Sequence, residues 1–189
     1  MGKIIVEQIV SADGFAADKD RGIAFFEQDP DLHELDQDQL RMLETIDAFI
    51  IGANTYKMFV EFWPTEKSKD EPVSRWINSH PVHVVSNSLK TAPWGPYAPA
   101  SIERGDAAQV VTAVGDHYRQ DVIVWGSLKL TEALFRAKVV DRLRLRMMPR
   151  LIGAGISVAP PDLKQTELTL VASKVYPKGH VVLDYRIER

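Results

Sequence analysis

Two segments of the chain place a glycine and small polar residues directly after an apolar run. The segment DVIVWGSLKL (residues 121–130) passes from apolar residues into Gly-Ser, and IGANTY (residues 51–56) repeats the arrangement. If a helix follows each glycine, its first amides have no partner within the helix and carry the positive end of the helix dipole, so they attract phosphate. Either segment alone is also typical of an ordinary turn, and Asn54 or Thr55 could cap the second helix.

Two further apolar runs end in polar residues. Ser86, Asn87 and Ser88 follow VHVV, where they could hold a ribose and its 2′-phosphate or form a hydrogen-bonded turn. The segment SADGF (residues 11–15) follows the first apolar run and is interpreted either as a turn or as a mobile loop that closes over a ligand. Because ligands of open α/β sheets bind at the carboxyl ends of the strands, these endings together favour a nucleotide site.

Other reaction chemistries have no support in the sequence. The chain has no cysteine, no GxSxG nucleophile motif and no GxxxxGK[ST] phosphate loop. Its histidines show neither HExxH nor another paired metal-ligand spacing, so we expect no metal site. Trp63 is expected to pack in the core or in a loop, with a platform for substrate as the alternative.

The composition predicts one soluble globular domain. The 189 residues are 45% hydrophobic and 26% charged, which suits a single domain spanning residues 1–189. The net charge of −3 gives no electrostatic reason to expect nucleic-acid or membrane binding. The N-terminus lacks the pattern of a secretory signal, and no segment approaches the roughly 20 apolar residues of a membrane helix, so a cytoplasmic location is expected.

The elements that position these segments alternate between strand and helix patterns. Short apolar runs predict four strands, at residues 3–9, 47–52, 82–86 and 121–125. Apolar residues at helical spacing predict helices before the second strand, before the fourth and after the fourth, and Asp106 is expected to cap the middle one. The alternation predicts an α/β fold with a largely parallel, helix-covered sheet.

The last third of the chain changes pattern. Residues 142–148, 168–176 and 180–187 have the pattern of strands, and the Pro-Lys-Gly between the last two predicts an antiparallel hairpin at the sheet edge. The proline-containing segments 71–81 and 91–99 are interpreted as surface loops.

Six motifs occur in a characteristic order along residues 3–187. They are VSADGF, DAFIIGANTYKMF, VVSNSL, DVIVWGSLKLTEALF, VDRLRLRMMPRLIGAGI and LVASKVYPKGHVVLDYR. This ordered set resembles the dihydrofolate-reductase-like superfamily, and most closely its bacterial branch similar to the C-terminal reductase domain of the riboflavin-biosynthesis deaminase/reductase. The resemblance implies a three-layer fold with a mostly parallel central sheet of about eight strands and an antiparallel C-terminal hairpin. It also implies NADPH extended across the strand ends, hydride transfer from its nicotinamide, and a homodimer.

The resemblance assigns cofactor contacts to residues of each motif. The pyrophosphate would contact Gly126, Ser127, Leu128 and Lys129, with Leu130 and Thr131 at the helix opening. From the other side it would contact Gly52, Asn54, Thr55 and Tyr56. The adenosine end would contact Ser86, Asn87 and Ser88, and the nicotinamide would contact Ile9 and Ala16.

The sequence departs from the family pattern at the position that would bind the 2′-phosphate of NADPH. Dihydrofolate reductases proper carry a basic residue where this chain has Ala53. A preference for NADPH over NADH would then rest on Ser86, Ser88, Lys90 or Lys57, and NADH stays open as the alternative.

A second departure concerns the acid that folate reduction needs on the helix before the second strand. That region offers Glu34, Asp36, Asp38 and Glu44, but no motif assigns the role to any of them. The zinc motif of the deaminase domain, HxE…PCxxC, is also absent. Reduction of dihydrofolate and the bifunctional riboflavin enzyme are therefore both disfavoured.

We therefore expect an NADPH-dependent reductase that transfers a hydride to a small C=O or C=N compound, such as a pterin- or pyrimidine-like heterocycle. Asp13 and Glu7 are the candidate catalytic residues, as a proton source beside the nicotinamide, although Glu7 could equally be structural. Residues 25–39 and 59–72 are expected to determine the small-molecule substrate. The alternatives are a nucleotide-binding module without catalysis and a dimerisation domain on the same fold.

Overall fold

A sheet of eight strands runs through the centre of the molecule. The computed structural model describes residues 2–27 and 29–188. The strands are β1 (Ile4–Ser11), β2 (Phe15–Asp18), β3 (Ile46–Gly52), β4 (Val82–Val85), β5 (Ser101–Glu103), β6 (Asp121–Trp125), β7 (Arg142–Met148), β8 (Gly155–Ser157), β9 (Leu168–Val175) and β10 (Val181–Ile187). The helices are α1 (Ala24–Glu27), α2 (Leu32–Leu43), α3 (Ala53–Val60), α4 (Ser74–Ser79), α5 (Ala107–His117) and α6 (Leu128–Arg136).

The strand order in this sheet is β5-β4-β3-β6-β1-β7-β10-β9. The strands from β5 to β7 are parallel, and β10 pairs antiparallel with both β7 and β9. Strands β2 and β8 form a separate antiparallel pair. The predicted fold, a mostly parallel sheet with an antiparallel C-terminal hairpin, is confirmed.

The core lies on both faces of the sheet because successive strand residues point to opposite sides. In β3, Phe49 belongs to one apolar layer, with four buried or partly buried tryptophans, while Ile50 belongs to the other, with Val111 of α5 and Leu134 of α6. Asp106 caps α5, as predicted, because its Oδ1 accepts hydrogen bonds from the first amides of the helix. The continuous apolar runs of the sequence are thus strands covered by helices on both sides.

The two segments interpreted as surface loops are more ordered than predicted. Residues 71–81 contain α4, and Ile77 within it is buried. The flanking prolines lie outside the helix and therefore delimit it instead of preventing it. Residues 91–99 contain no strand or helix, but Trp94 is only 1% exposed and its Nε1 donates to Asn78 at 2.9 Å. Strands β2, β5 and β8 were not predicted, because three or four residues are too few to show a period.

Candidate functional site

A cavity of about 980 Å³ opens at the carboxyl ends of the parallel strands. It extends from the starts of α3 and α6, past β1, to α2 and the segment that follows α3. Most residues that the resemblance assigns to the cofactor line it: Ile9, Ala16, Gly52, Asn54, Thr55, Ser86, Gly126, Ser127, Leu128, Lys129 and Leu130. Tyr56, Asn87, Ser88 and Thr131 do not. The structure thus brings the polar strand endings of the sequence to one cavity.

Thr55 and Ser127 join the starts of α3 and α6. The amide and the hydroxyl of Ser127 both donate to Oγ1 of Thr55, at 3.0 and 2.9 Å, and the amide of Gly52 donates to Oγ of Ser127 at 2.7 Å. Gly126 has a φ of 54°, in the left-handed region that glycine adopts without strain. A Cβ at this position would lie 3.2 Å from Oγ1 of Thr55. The two helices therefore begin at one tight, hydrogen-bonded joint.

The first turn of α6 has the amides that a phosphate requires. The first hydrogen bond within the helix runs from the amide of Thr131 to the carbonyl of Ser127, at 2.9 Å. The amides of Leu128, Lys129 and Leu130 precede it, so they have no acceptor within the helix and carry the positive end of its dipole. The amide of Ser127, which the resemblance also assigns to the pyrophosphate, is instead bound to Thr55. The opening of α6 therefore offers a pyrophosphate the amides of Leu128, Lys129 and Leu130.

Helix α3 begins earlier than its polar side chains suggest. Its N-cap is Gly52, and Asn54 and Thr55 lie within the first turn. The prediction that Asn54 or Thr55 caps this helix is therefore wrong, because the hydroxyl of Thr55 is bound to Ser127. Both residues line the cavity together with Ala53. The first turn of α3 thus forms a second wall beside the opening of α6.

Two residues that the resemblance assigns to the cofactor, Thr131 and Tyr56, instead form hydrogen bonds within the protein behind the cavity wall. The hydroxyl of Thr131 is buried, donates to the carbonyl of Gly126 at 3.1 Å and accepts from Nε2 of Gln8 at 3.1 Å. The hydroxyl of Tyr56 donates to the carbonyl of Pro93 at 2.7 Å, and burial raises the pKa of this phenol. Neither side chain borders the cavity, so we assign them to the scaffold.

The polar cluster after β4 forms a hydrogen-bonded turn. Oγ of Ser86 accepts from the amides of Ser88 and Leu89, at 3.3 and 3.1 Å. Oδ1 of Asn87 accepts from the amide of Gly105 at 2.8 Å, which ties the turn to the loop before α5. The turn interpretation of this cluster is thus correct for Asn87 and Ser88, and Ser86 also borders the cavity.

Glu7 lies at the floor of the cavity in a buried network. Its Oε1 accepts from Nε2 of Gln39 at 2.6 Å and from Nε1 of Trp125 at 2.9 Å. Its Oε2 lies 2.9 Å from Nε of Arg144, an ion pair whose atoms are not aligned as a hydrogen bond. Arg144 also lies 3.5 Å from Asp184. Both oxygens of Glu7 thus face groups of the protein, as expected if Glu7 has a structural role and not a catalytic one.

Asp36 is the acid of α2 that borders the cavity. Of the four carboxylates that the sequence offered, Glu34, Asp38 and Glu44 do not line it. Nη2 of Arg146 donates to Asp36, and its Nη1 donates to Oε1 of Gln39 at 2.8 Å. No local signal distinguishes Asp36 from the other three acids, because its place at the cavity depends on contacts to β7, more than 100 residues later.

Asp13 lies outside the cavity. Its carboxylate accepts from the amides of Ile152 and Gly153, with a shortest distance of 2.8 Å. A hydrogen bond with the side chain of Ser11, helped by these amides and opposed by burial, holds the pKa of Asp13 below its ordinary value. This placement connects the loop after β1 to the loop after β7, and it does not bring Asp13 to the floor beside Glu7.

Much of the remaining cavity wall is apolar. Met58 and Phe59 of α3, Phe62 and Trp63 after it, and Ile23, Phe26 and Leu32 from the opposite side all line the cavity. Both segments expected to determine the substrate, residues 25–39 and 59–72, contribute to this wall. Trp63 packs against Phe59 and Phe62, which confirms the predicted packing role, and it also borders the cavity; its role as a platform for substrate stays a prediction.

Two negative findings apply to residues 2–27 and 29–188. Within these ranges no three His, Cys, Asp or Glu side chains are grouped so that they could hold a metal ion. No helix in the same ranges has the length and apolar character needed to cross a membrane.

Comparison with known proteins gives relatives of similar length and fold. The chain is 20% identical over 185 residues to the uncharacterized protein YyaP of Bacillus subtilis (strain 168). The alignment covers 97% of this chain and 94% of YyaP. A putative riboflavin biosynthesis protein from Shewanella sp. PV-4 has the same fold, with a TM-score of 0.78, 19% identity and 99% of each chain covered.

Two enzymes share the fold with lower TM-scores and lower sequence identity. Dihydrofolate reductase from Enterococcus faecalis, solved with NADP(H), has a TM-score of 0.63 and 14% identity, with 100% of this chain and 98% of that chain covered. The diaminohydroxyphosphoribosylaminopyrimidine deaminase/5-amino-6-(5-phosphoribosylamino)uracil reductase from Thermotoga maritima has a TM-score of 0.64 and 14% identity, with 99% of this chain and 57% of that chain covered. The fold is therefore dihydrofolate-reductase-like.

The sequence itself identifies the family within this fold. Residues 2–182, nearly the whole chain, match the RibD C-terminal domain. The resemblance drawn from the six ordered motifs is thereby confirmed, and the chain belongs to the family of the RibD C-terminal domain.

Proposed function

We propose that the protein is an NADPH-dependent reductase that transfers a hydride to a small C=O or C=N compound. The joint between Thr55 and Ser127 carries the proposal, because it places the starts of α3 and α6 side by side on one cavity. Two helix openings beside glycines suit the two phosphates of a dinucleotide. The cavity continues from this joint to the floor at Glu7, which leaves room for an acceptor next to the cofactor.

The residues of the chain would bind, orient and exclude water. The amides of Leu128, Lys129 and Leu130 would hold the pyrophosphate, and NADPH when bound supplies the hydride. Asp36, fixed by Arg146, would accept a hydrogen bond from the acceptor at the floor. The apolar wall around Phe62 would exclude water from the reaction.

A titration of the protein with NADPH and with NADH tests the proposal. Trp63 and Trp125 line the cavity, so binding should quench tryptophan fluorescence. We expect NADPH to bind about tenfold more tightly than NADH. Absence of binding by either dinucleotide would contradict the proposal. Binding without turnover over a panel of carbonyl and heterocyclic compounds would favour the non-catalytic alternative.

We propose that Arg104 is the residue that distinguishes NADPH from NADH. Its guanidinium donates to the carbonyls of Ser86 and Leu89, so a fixed positive charge lies on the turn where the adenosine end is expected. Lys57 and Lys90, which the sequence suggested for this role, make no such contact to the turn. We expect Arg104→Gln to weaken NADPH binding about tenfold and NADH binding by less than about twofold. Equal losses for both dinucleotides in the same titration would exclude this role.

We propose that the protein is a homodimer, with β9 in the interface. All eight residues of this edge strand are exposed, and Leu168, Leu170, Val171 and Val175 are between 41% and 72% exposed. A long apolar edge strand is a surface that proteins cover with a partner. We expect sedimentation equilibrium to show a dimer that Val171→Lys converts to monomer. Leu151→Lys, at a more exposed site outside the strand, is the control and should remain dimeric.

A further inference from the structure

The cavity has two ends with different charges. The end at the start of α6 carries two cations, Arg21 and Lys129, which also line a smaller pocket between α6 and β8. The other end is the acceptor end, which we define by the apolar wall around Phe62 and by the charged and polar lining residues Glu27, Asp29, His33, Asp36, Glu71 and Arg146. If the cofactor binds at α6, the substrate occupies the acceptor end, so the inference below rests on the proposed function.

The cation of the acceptor end is already bound by the protein. Arg146 is buried and donates to Asp36 and to Gln39. Its position between these side chains leaves it no freedom to move toward a ligand. His33 also lines the acceptor end, and its side chain is exposed.

The acids of the acceptor end are only partly neutralised. Asp29 is paired with Arg150 at 3.1 Å and lies 3.3 Å from Nε2 of His180. Glu27 and Glu71 also line the cavity, and neither forms an ion pair with a residue of the part of the chain that the structure describes. The acceptor end therefore carries a net negative charge, contributed by the exposed Glu27 and the partly buried Glu71.

We infer that the acceptor is an unphosphorylated compound with a flat apolar body and no anionic group. A phosphate carries up to two negative charges and needs cationic or amide donors to replace its water. At the acceptor end it would meet Glu27 and Glu71 and an arginine that is already engaged, so it would be rejected. Neutral or cationic rings would instead pack against the aromatic wall. The Thermotoga maritima enzyme is named for a phosphoribosylamino compound, and we infer that this chain selects against that class of substrate.

The test compares two dyes that share one ring frame. N-phenyl-1-naphthylamine is neutral, and 8-anilinonaphthalene-1-sulfonate adds a single sulfonate to the same rings. Each is titrated into the NADPH-saturated protein at pH 8, at which free imidazole is uncharged. We expect the neutral dye to bind at least about tenfold more tightly than the anionic dye. The double variant Glu27→Gln/Glu71→Gln should raise the affinity for the anionic dye by about threefold or more and leave the neutral dye within about twofold.

A control pair assigns this effect to the cavity. Asp116→Asn/Glu167→Gln removes the same net charge at exposed positions that do not line the cavity, and it should change neither affinity. Three results would each overturn the inference: equal or tighter binding of the anionic dye, no response of that dye to Glu27→Gln/Glu71→Gln, or no binding of either dye. The preceding NADPH titration reports on the proposed function separately. If NADPH does not bind, the dyes are compared on the free protein and still test the charge of the acceptor end.

Discussion

Replacing Gly126 by alanine should weaken NADPH binding by about a hundredfold while the protein remains folded. The left-handed φ of 54° alone costs an L residue about 1–2 kcal/mol. The added Cβ would also lie 3.2 Å from Oγ1 and 3.3 Å from Cγ2 of Thr55, so Thr55 must move. That shift strains the joint with Ser127, which positions the two helix starts that would hold the phosphates. The measurement is the fluorescence titration with NADPH, accompanied by urea unfolding.

Gly153→Ala is the matched control for this substitution. Gly153 also has a positive φ, 75°, but an added Cβ there would meet no heavy atom within 4 Å. This variant should lose a similar amount of stability, about 1–2 kcal/mol, and keep its NADPH affinity within about twofold. A folded Gly126→Ala protein with normal NADPH affinity would show that the joint does not form part of the cofactor site.

Replacing Glu7 by leucine should lower the free energy of unfolding by about 3–5 kcal/mol. The substitution leaves the buried guanidinium of Arg144 with only the more distant carboxylate of Asp184. It also removes the acceptor of Gln39 and of the Trp125 indole, and a buried donor left unpaired costs about 1–3 kcal/mol. Domains of this size are stable by about 5–15 kcal/mol, so the effect should be large in urea unfolding monitored by circular dichroism.

Two further variants separate the buried charge from the packing around it. Glu7→Leu/Arg144→Leu removes both charges and should be more stable than Glu7→Leu alone, because no unpaired arginine remains. Glu7→Gln keeps an oxygen that can accept from Gln39 and should lie between the wild type and Glu7→Leu. If Glu7→Leu unfolds within about 1 kcal/mol of the wild type, the network is not stabilising, and a catalytic role for Glu7 becomes the better explanation of its position.

The strands and the strand endings could be predicted because their signals are local. The apolar runs of β3 and β6, the glycine after each and the N-cap at Asp106 are all visible within a few neighbouring residues. Helix α4 was missed because the prolines on both sides of it resemble the ends of a loop. The burial of Trp94 was not predicted because its segment has no hydrophobic period, and its contacts with Phe49, Tyr56 and Asn78 place it in the core.

The interior of the site could not be predicted, because it is made by pairs of residues distant in sequence. Ser127 meets Thr55 across 72 positions, and Trp125 meets Glu7 across 118. No spacing rule identifies such pairs in a single sequence. For the same reason the sequence offered four acids around α2 with no basis for selecting Asp36, whose selection depends on Arg146 of β7.

The position of β1 in the sheet has a consequence for how the protein is made. Strand β1 comes before the other strands of this sheet in the sequence, yet it lies in the middle of the sheet between β6 and β7, and Ile4 pairs with Val122. Neither neighbour exists until residues 121–125 have been synthesised, at about 5–20 residues per second. Until then β1 is an apolar strand with two unpaired edges, and closure of the sheet depends on contacts of high sequence separation, which form slowly. The sheet of a nascent chain is therefore expected to close only after β6 and β7 have left the ribosome, and the unpaired β1 is expected to need protection by chaperones until then.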